Sequence, residues 1–244
     1  MKLVDTHAHV EELTDIEGSL ARAKAKGLAA IVAVGSSSQA NARVLKLAED
    51  HHNFVYAAIG IHPHEAETES KEAIDFVESQ VHKCVAIGEV GMDYKYNVDK
   101  SRQREVFDNL LQIARNYDKA VALHSRGSWE DVLSCVQNND IRKAVFHWYS
   151  GPLETLRRIL DNGYFISVTP AVGYSPRHRE ATEVAPIESI LLETDAPVRY
   201  RGVPSEPSDV AKVLDEVARI KSVSINELAE TTTRNACYLF GIPC

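Results

Sequence analysis

The sequence predicts one (β/α)8 barrel, a TIM barrel, spanning residues 1–244 as a single α/β domain. Three observations carry this. Short β-rich runs alternate with longer amphipathic stretches about eight times along the chain. Most of the runs are nearly continuous in apolar residues, as strands covered on both faces are. Nothing divides the chain, because it has no internal repeat, low-complexity tract or Pro/Gly/Ser-rich linker. The rival fold, a doubly wound open sheet, usually needs fewer strands and a glycine-rich turn after the first. Here the first strand runs into "THAHVEEL", and no G-x-G-x-x-G occurs.

Taken in order, the predicted strands are "KLVDT" (2–6), "AAIVAVG" (29–35), "FVYAAIG" (54–60) and "CVAIGE" (84–89). "AVALH" (120–124), "KAVFH" (143–147), "YFISV" (164–168) and "SILLETD" (189–195) complete the eight. Between them, "DIEGSLARAKAKG" reads as a helix ending with Gly27 at its C-terminal cap. "SRQREVFDNLLQIARNYD" reads as another, with Ser101 as its N-cap. "APVRYRGVPSEPSD" (196–209) carries three prolines but lies between the last strand and a helix, so it is predicted as a long active-site loop.

Composition excludes several classes. With 44% hydrophobic and 25% charged residues the chain is ordinary for a globular protein. No stretch approaches the ~18 apolar residues of a membrane span, and "MKLVDTH" lacks the core of a secretory signal. Cys84, Cys135, Cys237 and Cys244 lie far apart without a C-x-x-C pair, so reduced thiols and a cytoplasmic location are expected. A formal charge of −8 argues against coating nucleic acid through a broad basic face. It leaves room for an enzyme meeting one phosphate, since bound cations reverse the local sign. No stable protein partner is predicted, and the oligomeric state is open.

In such barrels the active site forms at the carboxyl ends of the strands. The first strand ends in His7 and His9, whose spacing in extended chain places both on one face. The third runs into "GIHPH" with His62; the fourth ends in Glu89, the fifth in His124, the sixth in His147 and the eighth in Asp195. Five of ten histidines thus fall at a strand exit, whereas His51, His52, His82 and His178 fall on helices and loops. An isolated H-x-H means little, but seven histidine or carboxylate positions on one rim form a metal-ligand set. His7, His9, Glu89, His124, His147 and Asp195, with His62 in reserve, exceed the three ligands of a single catalytic zinc. They suit two divalent ions sharing a carboxylate, and the N/O mixture accepts zinc, manganese or cobalt.

Two such ions activate a water and clamp the oxygens of a displacement, so a hydrolase follows. Glu89, midway round the barrel, is the expected bridge. His7 and His9 would hold one ion with Asp195, and His124 and His147 the other. Asp195 would also accept the proton of the attacking water, which makes Asp195 and Glu89 the catalytic candidates.

"DTHAH", "GIHP", "GEVGMDY", "LHSRG", "FHWYSG" and "LLETDAP", in this order, resemble the TatD family of metal-dependent deoxyribonucleases in the amidohydrolase superfamily. The resemblance runs the whole length, through "RG" and "EP" at 201–207 to "TTTRNACYLFGI" near the C-terminus. It implies a (β/α)8 barrel, a site for divalent metals (zinc, magnesium, manganese or cobalt) and DNA as substrate, with 3′-to-5′ exonuclease action on single-stranded ends. The family's ligands match the same six residues. His62 matches a histidine placed near the scissile phosphate, and Asp93 the acidic residue of a G-[LM]-D motif. The chain departs from the family's "HCFSG", with Trp148 and Tyr149 expected to crowd the rim, and from its "NEP", with Ser205 at the asparagine position.

Arg126 in "HSRG" is a candidate for the substrate phosphate; the alternative is a salt bridge to a rim carboxylate such as Glu130. Arg201, and with less reason Arg199, either face the substrate or are solvated. Trp148 and Tyr149 either stack on a base or pack structurally. "RHRE" (177–180) reads as the polar start of a helix, and Cys84 and Cys135 as core thiols. A hydrolase of the same scaffold acting on a small-molecule ester, lactone, cyclic amide or phosphotriester is the alternative activity. A barrel kept only as a binding scaffold is the third reading.

Overall fold

The computed structural model describes residues 2–69 and 71–243. Eight parallel strands pair in chain order: β1 (Leu3–Ala8), β2 (Leu28–Val34), β3 (Val55–Ile59), β4 (Ala86–Gly91), β5 (Ala120–His124), β6 (Ala144–Phe146), β7 (Phe165–Val168) and β8 (Ile190–Leu192). Helices α1 (Ile16–Ala25), α2 (Ser38–Asp50), α3 (Lys71–Gln80), α4 (Lys100–Asn116), α5 (Trp129–Asn138), α6 (Leu153–Asp161) and α7 (Pro176–Val184) alternate with them. A hairpin, β9 (Arg199–Tyr200) with β10 (Val203–Pro204), follows β8 and precedes α8 (Val210–Lys221) and α9 (Ile225–Phe240).

Closure comes from the chain beyond β8. Asp195 donates its N–H to His7 O at 2.9 Å, and His9 donates to Ala196 O at 2.7 Å. Below them the buried Asp5 carboxylate accepts from the Thr194 N–H (3.0 Å) and hydroxyl (2.6 Å). These bonds set the end of the eighth strand against the first, which is what makes Asp195 a neighbour of His7.

Strand side chains divide into two apolar clusters by alternation. Leu3, Ile31, Ile59, Ile87, Leu123, Phe146 and Ile166 pack outward against the helices. Val4, Ala30, Val32, Ala58, Ala86, Ala122 and Leu191 point into the barrel. The inward set is small, so strands alone do not fill the interior; Leu239, Phe240 and Ile242 at the end of α9 join it.

Local signals behave as chemistry dictates, with corrections. Gly27 follows α1 with φ +87°, a left-handed terminator that glycine adopts without penalty. The N-cap of α4 is Asp99, not Ser101: its carboxylate accepts the Arg102 N–H at 2.8 Å, and the helix begins at Lys100. Strands β6 and β8 stop short of the predicted ends, so His147 and Asp195 stand just beyond a strand. Cys84 and Cys135 are free, buried thiols; the reading of all cysteines as reduced fails at Cys237, which is disulfide-bonded, while Cys244 lies outside the described residues. Among the described residues no helix is long and apolar enough to cross a membrane.

Candidate metal centre and active site

The six sequence-predicted ligands and His62 meet at the carboxyl mouth of the barrel, most around a cavity of about 660 Å³. His7 lies just beneath the lining, almost wholly buried. Its Nε2 stands 3.4 Å from Glu89 Oε2 and 3.7 Å from Asp195 Oδ1. His9 Nε2 is 3.6 Å from each of the same two oxygens. His147 Nε2 is 3.7 Å from Asp195 Oδ2 and 3.9 Å from Glu89 Oε1. Glu89 therefore faces the three imidazoles of His7, His9 and His147.

Backbone geometry delivers these side chains. Gly91 pairs with His124 across β4 and β5, and a Cβ there, at φ +147°, would lie 1.9 Å from the His124 carbonyl oxygen. Only glycine lets β4 run close enough to hold His124 against Glu89. Asp195 and Trp148 adopt left-handed backbone, with φ 51° and 43°. Outliers of this kind cost on the order of 1–3 kcal/mol and cluster at functional sites.

The grouping differs in one respect from the expected pairs. His7, His9 and Asp195 converge as expected, but His124 converges with Glu89 and His62, and His147 with His7 and Glu193. His124 is held by a carboxylate on each ring nitrogen, Glu89 at 2.6 Å on Nδ1 and Asp93 at 2.7 Å on Nε2. His147 stacks on His7 at 3.8 Å, and its Nδ1 lies 2.8 Å from Glu193 Oε1. The rings of His124 and His147 are consequently 6.5 Å apart.

Electrostatics follow from four carboxylates packed among five imidazoles. Burial alone would lower His9 and His147. The bond to Glu89 and the charges of Asp195 and Glu89 instead raise His9 to about 9. The charges of Glu193 and Asp195 raise His147 to about 10. Burial would raise Glu89, yet the charges of His62 and His7 and the bond from His124 hold it well below the ordinary carboxylate value. His62, where burial dominates, is pushed well below the usual imidazole value.

The donors fit a divalent ion. His7 Nε2 is buried without a hydrogen-bond partner among the described residues, although carboxylate oxygens stand just beyond reach. Bonds of 2.0–2.2 Å to a tetrahedral ion put donors about 3.4 Å apart, close to the spacing of His7, His9 and Asp195. A cation there replaces the protons that raised imidazoles otherwise hold.

Other predicted residues are placed less uniformly. Arg126 takes the salt-bridge alternative with a different partner: its Nε donates to Asp93 Oδ2 at 2.8 Å, while Glu130 pairs with Arg158 and Thr155. It nonetheless lines the cavity and is half exposed. Arg201 sits over the Tyr174 ring, and Arg199 is exposed, donating to Gly202 O at 2.9 Å. Trp148 lines the mouth, but Tyr149 does not crowd the rim. It is fully buried against Phe146, its hydroxyl donating to Pro152 O at 2.6 Å, because the left-handed turn at Trp148 sends the next side chain inward. Ser205 is buried and donates to Val198 O at 2.9 Å, a contact within the loop.

Sequence reasoning passed over Glu193, His64, Tyr96 and Tyr174. Glu193 stands two residues before Asp195, and His64 two after His62, the same alternation that exposed His7 and His9. Nothing in the sequence marked Tyr174.

The model of the family described as TatD related DNase matches residues 4–241. The chain belongs to that family. It is 32% identical to YabD of Bacillus subtilis, an uncharacterized metal-dependent hydrolase, over 98% of this chain and 99% of that protein. It is 28% identical to the human deoxyribonuclease TATDN3, over 98% of this chain and 94% of the relative. The crystal structure of the TatD homologue YJJV from Escherichia coli superposes with a TM-score of 0.93 at 32% identity, covering 99% of this chain and 98% of that one. That barrel confirms the fold expected from the sequence.

Proposed function

We propose that this TatD-family protein is a divalent-metal-dependent phosphodiesterase that cleaves DNA, working from single-stranded 3′ ends. The observation that carries the reading is the convergence of His9, Glu89, His124, His147 and Asp195 on one cavity, with His7 just beneath them, that also presents a half-exposed arginine. The deoxyribonuclease name of a relative that matches along nearly its whole length supports the same substrate.

In this reading His7, His9 and Asp195 would hold one divalent ion and His124 and His147 a second, with Glu89 between them placed to serve both. The ions, when bound, supply Lewis acidity and lower the pKa of water to near neutrality. Asp195, buried yet facing the cavity, takes the proton of the attacking water on a carboxylate oxygen. Asp93 and Glu193 hold the far nitrogens of His124 and His147 and fix both rings. His62 and the free Nη atoms of Arg126 are placed to meet the phosphate.

The test is a 5′-labelled single-stranded DNA oligonucleotide incubated with metal-stripped protein, then with zinc, magnesium, manganese or cobalt restored. Progressive shortening from the 3′ end is expected only with metal. Glu89→Ala and Asp195→Ala should each lower the rate by at least about a hundredfold while leaving the circular dichroism spectrum unchanged. Wild-type turnover in either variant, or shortening in chelator, would sink the assignment. Failure on DNA with rapid cleavage of a lactone or phosphotriester would move the chemistry to small molecules.

A further inference from the structure

The cavity carries an aromatic–arginine pair on each of two arcs of its rim. On the β3–β5 side Arg126 lies over the Tyr96 ring at 4.8 Å. Tyr96 is 42% exposed and borders His62 and His64, with ring separations of 5.9 and 5.6 Å. On the β7–β8 side Arg201 lies over the Tyr174 ring at 5.0 Å, and Tyr174 is 40% exposed. Tyr96 and Tyr174 both line the cavity that holds the ligand set. Tyr96 follows β4, Tyr174 follows β7 and Arg201 follows β8, so the two pairs stand on different arcs of the barrel mouth, around the one cavity that the candidate metal ligands line.

Neither arginine is consumed by the fold. Arg126 gives Nε to Asp93, and its Nη atoms take no acceptor among the described residues. Arg201 has no carboxylate partner among them and occupies an unfavourable place. With Gly202 it forms the two-residue turn of the β9–β10 hairpin, both with positive φ, 53° and 85°. Such turns strongly prefer Asn or Gly at the first position. An arginine kept in left-handed backbone, with its guanidinium on an exposed tyrosine at the mouth, points to a ligand.

We propose that the two pairs are nucleotide subsites flanking the scissile phosphate, one base stacking at Tyr96–Arg126 and the adjoining base at Tyr174–Arg201. The inference rests on the phosphodiesterase reading and names the side chains that would hold the two bases of the unpaired strand. Two bases splayed to opposite sides of one phosphate cannot remain in a duplex. Stacking tolerates any base, so the subsites select single-strandedness rather than sequence. The guanidinium groups meet the phosphates or extend the stack, supplying local positive charge that the net charge of −8 lacks.

The test uses the metal-loaded protein and short phosphorothioate-linked single-stranded DNA with 2-aminopurine at the 3′-terminal or the penultimate position. Wild type should quench both positions. Tyr96→Ala should release one and Tyr174→Ala the other, each weakening binding roughly tenfold or more, the range for loss of one base stack. Arg201→Asn should weaken binding and lower its salt slope by about one, while raising the melting temperature because asparagine suits the turn. That stability gain separates a binding defect from misfolding. Quenching unchanged in both tyrosine variants, or lost at the same position in both, overturns the two-subsite assignment even if the enzyme cleaves DNA. A wild type that neither binds nor cleaves DNA overturns the phosphodiesterase reading, and this inference with it.

Discussion

His178 stands in "RHRE", among Arg177, Arg179 and Glu180, and its neighbours in sequence make it read as a surface residue. In α7, however, His178, Ala181 and Thr182 share one helical face, and all three are buried. Its Nδ1 is 2.7 Å from the Tyr149 carbonyl oxygen, and Nε2 accepts the Thr169 N–H at 3.1 Å. That pairing makes the ring a neutral Nδ1–H tautomer, and burial pulls its pKa down to about 4 from 6.5. The unfolded chain takes up a proton as pH falls below 6.5, while the folded protein refuses it until about 4. Stability is therefore lost as pH falls through that window, by roughly 3 kcal/mol at about 1.36 kcal/mol per unit. Urea unfolding in chelator should show this decline in wild type and a flatter one in His178→Asn; parallel curves would rule the assignment out. Glu193 teaches a related lesson. It obeys the same two-residue alternation as the H-x-H pair, but a carboxylate at a strand end can face substrate, metal or another side chain. Only the folded chain brings its Oε1 to 2.8 Å from His147 Nδ1.

At the scale of elements, the most consequential is α9. In the sequence its end, "TTTRNACYLFGI", is legible only through the family resemblance, and nothing local tells where its apolar face goes. The inward-facing strand positions explain its place: Ala30, Ala58, Ala86 and Ala122 are too small to meet across the barrel. Leu239, Phe240 and Ile242 fill the space left at the end away from the active site. Phe240→Ala should consequently destabilise the protein by about 3–5 kcal/mol, as truncation of a buried phenylalanine does. Tyr238→Ala, two residues away and 71% exposed, should change stability by less than about 1 kcal/mol. Equal effects in thermal unfolding would refute the plug. The β9–β10 hairpin is the other element that sequence reading leaves undivided. Its prolines mark a loop, but a turn with arginine first carries none of the usual hairpin signal.

For the whole molecule, the apolar core and the candidate metal centre are separable. The outer and inner clusters are built from strands and helices, while the ligand set occupies the barrel mouth. Chelation should abolish cleavage and leave the far-ultraviolet circular dichroism and cooperative unfolding intact. The melting temperature should rise again when metal is restored, by linkage worth about 4 kcal/mol at a thousandfold excess over Kd. Loss of helical signal on chelation would show that the ions hold the barrel together.

The sequence by itself determined the barrel, because alternating apolar strands and amphipathic helices leave few other ways to bury every strand on both faces. It also determined which histidines and carboxylates gather at the barrel mouth, because strand ends in such a barrel share one rim whatever their spacing along the chain. What only the tertiary structure decided is how those residues divide among themselves. His124 with Glu89 and Asp93, His147 with His7 and Glu193, and Tyr149 turned away from the rim depend on ring orientation and on backbone at φ 43° and 51°. Those are set by contacts between residues tens to hundreds of positions apart. The tyrosine–arginine pairs belong to the same class, since loops carry no periodicity and meet only once the barrel has closed.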